Sequence, residues 1–158
     1  MGGEGRAIRV EVDHVVGAPP DRLYAALADL ALRPRWQETT RTVSAEGDGP
    51  AGVGTRWRQT TDGIGEHEME VVAAEPGRRW VEEGRAGGGD ARIALELAAE
   101  PGGRTRVRAT VEMRLRGARR LAAPAIAPPA IAPMIRHQLP RDLDRLADLA
   151  VGEGPANL

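Results

Sequence analysis

The sequence predicts an α+β fold: one curved, seven-stranded antiparallel sheet, a long C-terminal helix across its concave side, and two short helices after the first strand. Three observations carry this. Residues 8–16 alternate, with Ile8, Val10, Val12, His14 and Val16 in one row and Arg9, Glu11 and Asp13 in the other, the period of a half-buried strand. From residue 39 onward, strand-like runs are separated by glycine-, proline- and aspartate-rich breaks, EGDGPAG, DGIG, EPGR, GGGD and EPGGR, which read as hairpin loops. The chain then closes on a helix-period stripe, Ile135, Leu139, Leu143, Leu146 and Ala150.

In chain order, Pro19 and Pro20 open a helix over DRLYAALADL, where Leu23, Leu27 and Leu30 recur at helical spacing and proline suits the first turn. A second short helix is expected from Arg33 to Trp36. Strands follow near 39–45, 53–61, 66–74, 79–86, 91–99 and 105–116, and the last helix is expected from about Met134 to Val151. Successive hairpins make a single antiparallel sheet, and the apolar stripe of the last helix gives it a reason to lie across the concave face. One domain is expected over 1–158, with a folded core at 7–151 and a tail at 152–158.

Register decides which residues face inward. Paired residues must belong to the same row if both arms of a hairpin are to bury their apolar sets on one side. The expected pairings are Trp80 with Ala73, Glu82 with Val71, Ile93 with Gly84, Leu97 with Val107 and Ile93 with Val111. Matching Val53, Thr55, Trp57 and Gln59 to His67, Met69, Val71 and Ala73 requires a DGIG loop of three or five residues with a bulge.

Composition narrows the function. Net charge is −1, from 22 basic and 23 acidic residues, with 3% aromatics and no polybasic block, so the footprint of a nucleic-acid binder is missing. The N-terminus MGGEGRAIRV lacks the pattern of an export signal and no apolar run is long enough to span a membrane, so a cytoplasmic protein is expected. With no cysteine and no lysine, thiolate and Schiff-base mechanisms are excluded.

The stretch GEHEMEVV, 65–72, places a histidine among three glutamates. A zinc-binding helix would read H-E-x-x-H, but the fifth residue here is Val71, and His14 and His137 are remote in sequence. No metal is expected. Period two fits instead: His67, Met69 and Val71 face inward, and Glu66, Glu68 and Glu70 face water. His67 is then either an idle rim histidine or a general base, since imidazole titrates near neutrality. Glu82, in the inner row, must find a partner or carry a raised pKa; alternatively its strand faces the other way, with Val81 inside. The two residues lie four positions apart along the ladder, roughly 13 Å, too far for a dyad. His14 reads as a core or rim histidine and His137 as exposed. Trp36, Trp57 and Trp80 read as core, or as walls of a ligand site.

The stretch LAAPAIAPPAIAPMI, 121–135, has no charge in fifteen residues and four prolines. It is either an apolar linker or a gate that touches ligand through Ile126, Ile131 or Met134. Pro140 is expected to kink the last helix by removing its bond to the Arg136 carbonyl.

The segments APPDRLYAALADLALRPRWQE, GVGTRWRQ, EMEVVAAEPGRRW, GGRTRVRATVEMRLRG and QLPRDLDRLADL resemble the polyketide cyclase/dehydrase-like branch of the START-like (SRPBCC, Bet v 1-like) superfamily, over about residues 7–151. The resemblance implies a helix-grip fold enclosing a cavity for a hydrophobic small molecule. Aromatase/cyclases are similar in holding an arginine and aromatic residues in the cavity. This chain has one tyrosine, no phenylalanine, and no arginine in the inner row of strand 66–74. The implied activity is cofactor-independent cyclisation or dehydration in natural-product biosynthesis, using cavity shape and one proton-transfer residue. His67 is the first candidate for that role and Glu82 the second. The expected ligand contacts are Trp57, Gln59, Met69, Trp80, Ile93, Val111, Met113, Ile126, Ile131, Met134 and Leu139. A non-catalytic carrier or sensor of a hydrophobic metabolite is the alternative, and a homodimer is compatible with either.

Overall fold

The computed structural model describes residues 7–115 and 128–152. Strand β1 (Ala7–Val16) leads into helix α1 (Pro20–Ala28), a 3₁₀ turn (Leu30–Leu32) and helix α2 (Arg33–Trp36). Six strands follow: β2 (Thr40–Ala45), β3 (Arg56–Thr61), β4 (Gly65–Glu75), β5 (Arg79–Ala86), β6 (Gly89–Glu100) and β7 (Arg104–Leu115), and then helix α3 (Pro128–Gly152). The seven strands form one antiparallel sheet in the order β1-β7-β6-β5-β4-β3-β2, so β1 and β2 are its edges. Successive hairpins put each strand beside the next, and β1 returns to pair with β7.

The turns set the register. Thr61 pairs with Gly65 around a three-residue loop; Gly63 within it and Gly65 just after it take φ of +82° and +89°. The loop has one of the two odd lengths that the row matching allows, and it brings Gln59 opposite His67 and Trp57 opposite Met69. Three other expected pairs also form: Glu82 with Val71, Leu97 with Val107, and Ile93 with Val111. Two shift. A bulge between Val71 and Ala73 moves Trp80 opposite Ala74 instead of Ala73. Ala86 pairs with Gly89 around a two-residue Gly87–Gly88 turn, tighter than expected, which sets Ile93 opposite Glu82 and Gly84 opposite Ala91. Glycine is required at 89, because a Cβ there would come within 2.2 Å of the Arg114 carbonyl oxygen.

Two element boundaries also differ from expectation. β3 starts at Arg56 rather than 53, because Gly54 takes φ of +92° and turns the chain, although Gly54 N and Thr55 O still bond to Val71. α3 begins at Pro128, six residues early, and continues through Pro133 and Pro140. Prolines in a first turn give up no bond that the helix would make, so Pro128 and Pro129 suit a start there.

The core lies where α1, α2 and α3 meet the inner rows. Leu23 and Leu27 of α1, Trp36 of α2, and Leu143, Leu146 and Ala147 of α3 pack with Trp57, Val71, Trp80, Leu95 and Val107. Side chains from α3 tie it to its neighbours. Asp142 accepts from the Glu38 amide at 3.3 Å and from Gln138 at 2.9 Å, Arg145 donates to the Trp36 carbonyl at 3.2 Å, and His14 meets Asp144 at 2.8 Å. Burial pushes the Asp142 carboxyl above its usual range, against the hydrogen bonds from Gln138, the Glu38 amide and Arg145.

Candidate functional site

On the α2 side of the gripped space, polar and aromatic groups fill the interior. Arg33 and Trp36 lie three apart on α2 and so share a face. Arg33 is 1% exposed and donates from Nη1 to Glu82 Oε2 at 2.8 Å. The other carboxylate oxygen, Oε1, accepts from Trp80 Nε1 at 2.7 Å. Arg33 Nε and Nη2 have no hydrogen-bond partner among the described residues, but the guanidinium lies 4.9 Å from the Trp57 ring centre and 5.3 Å from that of Trp36. Stacking on two indole faces offsets part of the cost of burying the charge. Tyr24 of α1 meets Trp80 edge-on at 5.8 Å, and burial pushes its phenol pKa up.

A second chain of bonds runs beside it. Trp57 Nε1 donates to Gln59 Oε1 at 2.8 Å, and Gln59 Nε2 donates to Thr40 at 3.2 Å and Thr61 at 3.1 Å. Thr40 donates in turn to Gln37 at 2.8 Å. Trp57, Gln59, Met69, Trp80 and Glu82 are all buried. Glu82 thus faces inward and is paired. Val81 is also fully buried, so the choice between the two facings of β5 does not arise as one of inside against water.

His67 sits apart. It is half-buried near the start of β4, its Nδ1 lies 3.1 Å from the Gly65 carbonyl oxygen, and its Nε2 has no partner among the described residues. It borders an open depression of about 280 Å³ rimmed by Arg58, Glu66, Glu68 and Arg85. A second depression, of about 330 Å³, is rimmed by Arg9, Glu83, Arg92 and Glu112 around the row Ile8, Met113, Ala91 and Gly84. Outer-row charges surround both; the first is a polar surface feature, while the second abuts the apolar residues Ile8, Ala91 and Met113. Among the described residues no group of three acidic or histidine side chains could hold a metal ion.

The inner face is different at the corner where β1 and β6 begin and β7 ends. Ile8, Ala91, Ile93, Met113 and Leu115 are only half-buried there, beside buried Val10 and Val111. On α3, Ile131 is buried, Leu139 is half-buried against the core, and Met134 is 42% exposed. Ile126 lies outside the described residues. The expected contacts therefore divide: Trp57, Gln59, Met69 and Trp80 belong to the filled side, and Ile93, Val111 and Met113 to the corner.

A family profile described as polyketide cyclase / dehydrase and lipid transport matches residues 7–150. The chain belongs to that family. Its fold is Bet v 1-like, as three solved structures show. Ara h 8.0201 is similar with a TM-score of 0.68 at 15% identity, covering 93% of this chain and 99% of its own. The hypothetical protein jhp0584 from Helicobacter pylori gives 0.71 at 17%, covering 90% and 88%. TTHA0849 from Thermus thermophilus gives 0.69 at 17%, covering 93% and 99%. No curated protein matches. At these identities the structures speak for the fold alone.

In this member of the cyclase/dehydrase and lipid-transport family Arg33 lies on α2, outside every strand row. Strand 66–74 has no inward arginine, and the interior arginine arrives from α2 instead. Two signals point to it: the inward Glu82 requires a cation, and the i, i+3 pair Arg33–Trp36 sits in a four-residue helix. Neither signal chooses Arg33 from 22 arginines without the fold.

Proposed function

We propose that the protein binds a hydrophobic small molecule between the half-open apolar corner of the sheet and α3, and that it acts as a carrier or sensor of that molecule. The observation that carries this reading is the uneven filling of the inner face: Ile8, Ala91, Ile93 and Met113 are only half-buried, while the α2 side is packed. Apolar side chains left short of full burial on a concave face gain by covering, and a ligand can cover them. The bonding of Glu82 favours binding over catalysis. Both its carboxylate oxygens hold partners, so a proton could pass to a ligand only by breaking a buried ion pair.

A second reading is a cyclase or dehydratase for a polyketide-like substrate in natural-product biosynthesis. The family description supports it, and His67 supports it with an unengaged Nε2. Native mass spectrometry of freshly purified protein is the test of binding: an apolar compound should accompany the chain, and protein that neither carries nor takes up any apolar compound ends the proposal. The compound then separates the two readings. Conversion by wild type, with a loss of roughly a hundredfold in His67→Ala, supports the enzyme; an unconverted compound leaves the carrier.

A further inference from the structure

The two edges of the sheet are unlike. β2 has six residues and a register shift between Thr40 and Thr42, features that blunt an edge. β1 has ten residues paired to β7 without interruption, from Ala7 opposite Arg114 to Val16 opposite Thr105. It contains no proline, no bulge and no lysine. Among the described residues, β7 is its only strand neighbour, and no backbone hydrogen bond from 7–16 runs elsewhere. A long, straight strand in this position presents a row of unpaired amide and carbonyl groups to another chain.

We propose that β1 is a homodimer interface, in which two copies pair their first strands antiparallel about a two-fold axis at Val10. The argument is the charge order of the outer row. With the axis at Val10, Arg9 of each copy stands opposite Glu11 of the other, Ala7 opposite Asp13, and in the inner row Ile8 opposite Val12 and Val10 opposite itself. Moving the axis by one residue sets Arg9 against Arg9, or Glu11 against Glu11. Opposite charges directly across a ladder stabilise it and like charges destabilise it; an axis at Glu11 also sets Arg9 against Asp13 but adds the Glu11–Glu11 pair, so the Val10 axis is the one of these three without a like-charge pair. Both outer-row residues are exposed and available: Arg9 bonds to Glu11 of its own strand at 2.9 Å and to Glu112 at 2.8 Å, contacts that solvent screens. The side chain that links β1 to α3, His14, comes from the inner row. Half-buried Ile8 and Val12 would gain apolar neighbours across the axis.

A charge swap tests the register as well as the contact. Sedimentation velocity of the full chain, with circular dichroism to verify folding, should show wild type dimerising as concentration rises. Arg9→Glu sets a carboxylate against Glu11 at both ends of the two-fold pair and should weaken association about tenfold. The double variant R9E/E11R exchanges the two charges, so that opposite signs face each other again, and should restore dimerisation. A wild type that stays monomeric at every accessible concentration overturns the proposal. So does a dimer indifferent to Arg9→Glu, or a folded double variant that stays as weak as the single one. None of these measurements needs the ligand, so their outcome is independent of the binding proposal.

Discussion

On the α2 side, the inner rows carry Trp57, Gln59, Trp80 and Glu82, and each polar atom that these residues bring inside meets a partner. At the corner formed by β1, β6 and β7, the same rows carry Ile8, Ala91, Ile93 and Met113, with no polar atom to satisfy and incomplete cover. The contrast is chemical. The polar groups of these rows hold fixed partners, and Arg33, whose Nε and Nη2 have none among the described residues, is held by Glu82 and two indole faces, so the α2 side is locked into one arrangement. Apolar groups accept any apolar neighbour, so the corner can be covered by different guests at little cost. A fold that grips a ligand needs both: a rigid anchor for its helices and a permissive surface.

The largest expected effect breaks the locked side. Glu82→Ala leaves the Arg33 guanidinium buried without its counter-charge and should cost about 3–5 kcal/mol of stability in urea unfolding. The double variant Arg33→Met/Glu82→Leu removes both charges and should recover most of that loss. A cost below about 1 kcal/mol for Glu82→Ala would mean that water reaches the pair and that the α2 side is no more closed than the corner.

A smaller effect sharpens the other half of the comparison. Met113→Trp adds bulk in the open corner and should weaken uptake of the co-purifying compound about tenfold, while stability stays within about 1 kcal/mol of wild type. In a fully packed site the same change would force the surrounding side chains apart and cost more. Unaltered uptake at unaltered stability would move the ligand away from this corner.

The smallest expected effect concerns Asp142, which helps fix α3 to the segment after α2. Its carboxyl pKa is raised by burial, so its contribution to stability is fully present below the unfolded carboxyl value and is lost as pH rises through the raised folded value. Relative to Asp142→Asn, wild type should therefore lose stability over the acid range as pH increases. A stability difference between the two proteins that grows in favour of wild type as pH rises would show the hydrogen bonds from Gln138, Glu38 and Arg145 outweighing the burial.

Much of this architecture was legible in the sequence because period and punctuation are local. The alternation of Ile8 to Val16, the turn residues DGIG and the stripe Leu139, Leu143 and Leu146 each report on a few neighbours, and together they set the seven strands, the closing helix and most pairings. The inward row of β4 follows from GEHEMEVV in the same way: Met69 and Val71 are buried, His67 is half-buried, and the three glutamates alternate with them. What the sequence could not show depends on contacts between distant segments. The bulge after Val71 shifts the register by one residue and brings Ala74 instead of Ala73 into the inner row, and the tight Gly87–Gly88 turn shifts it by two, which keeps the rows. The early start of α3 was hidden by prolines that normally end helices, yet are tolerated in a first turn. Arg33 looked like one of many surface arginines. Only the folded chain brings α2 over β5, where burial removes water and makes Glu82, Trp57 and Trp36 its available partners; charge pairing in an interior is decided by what else is excluded, and no local pattern encodes that.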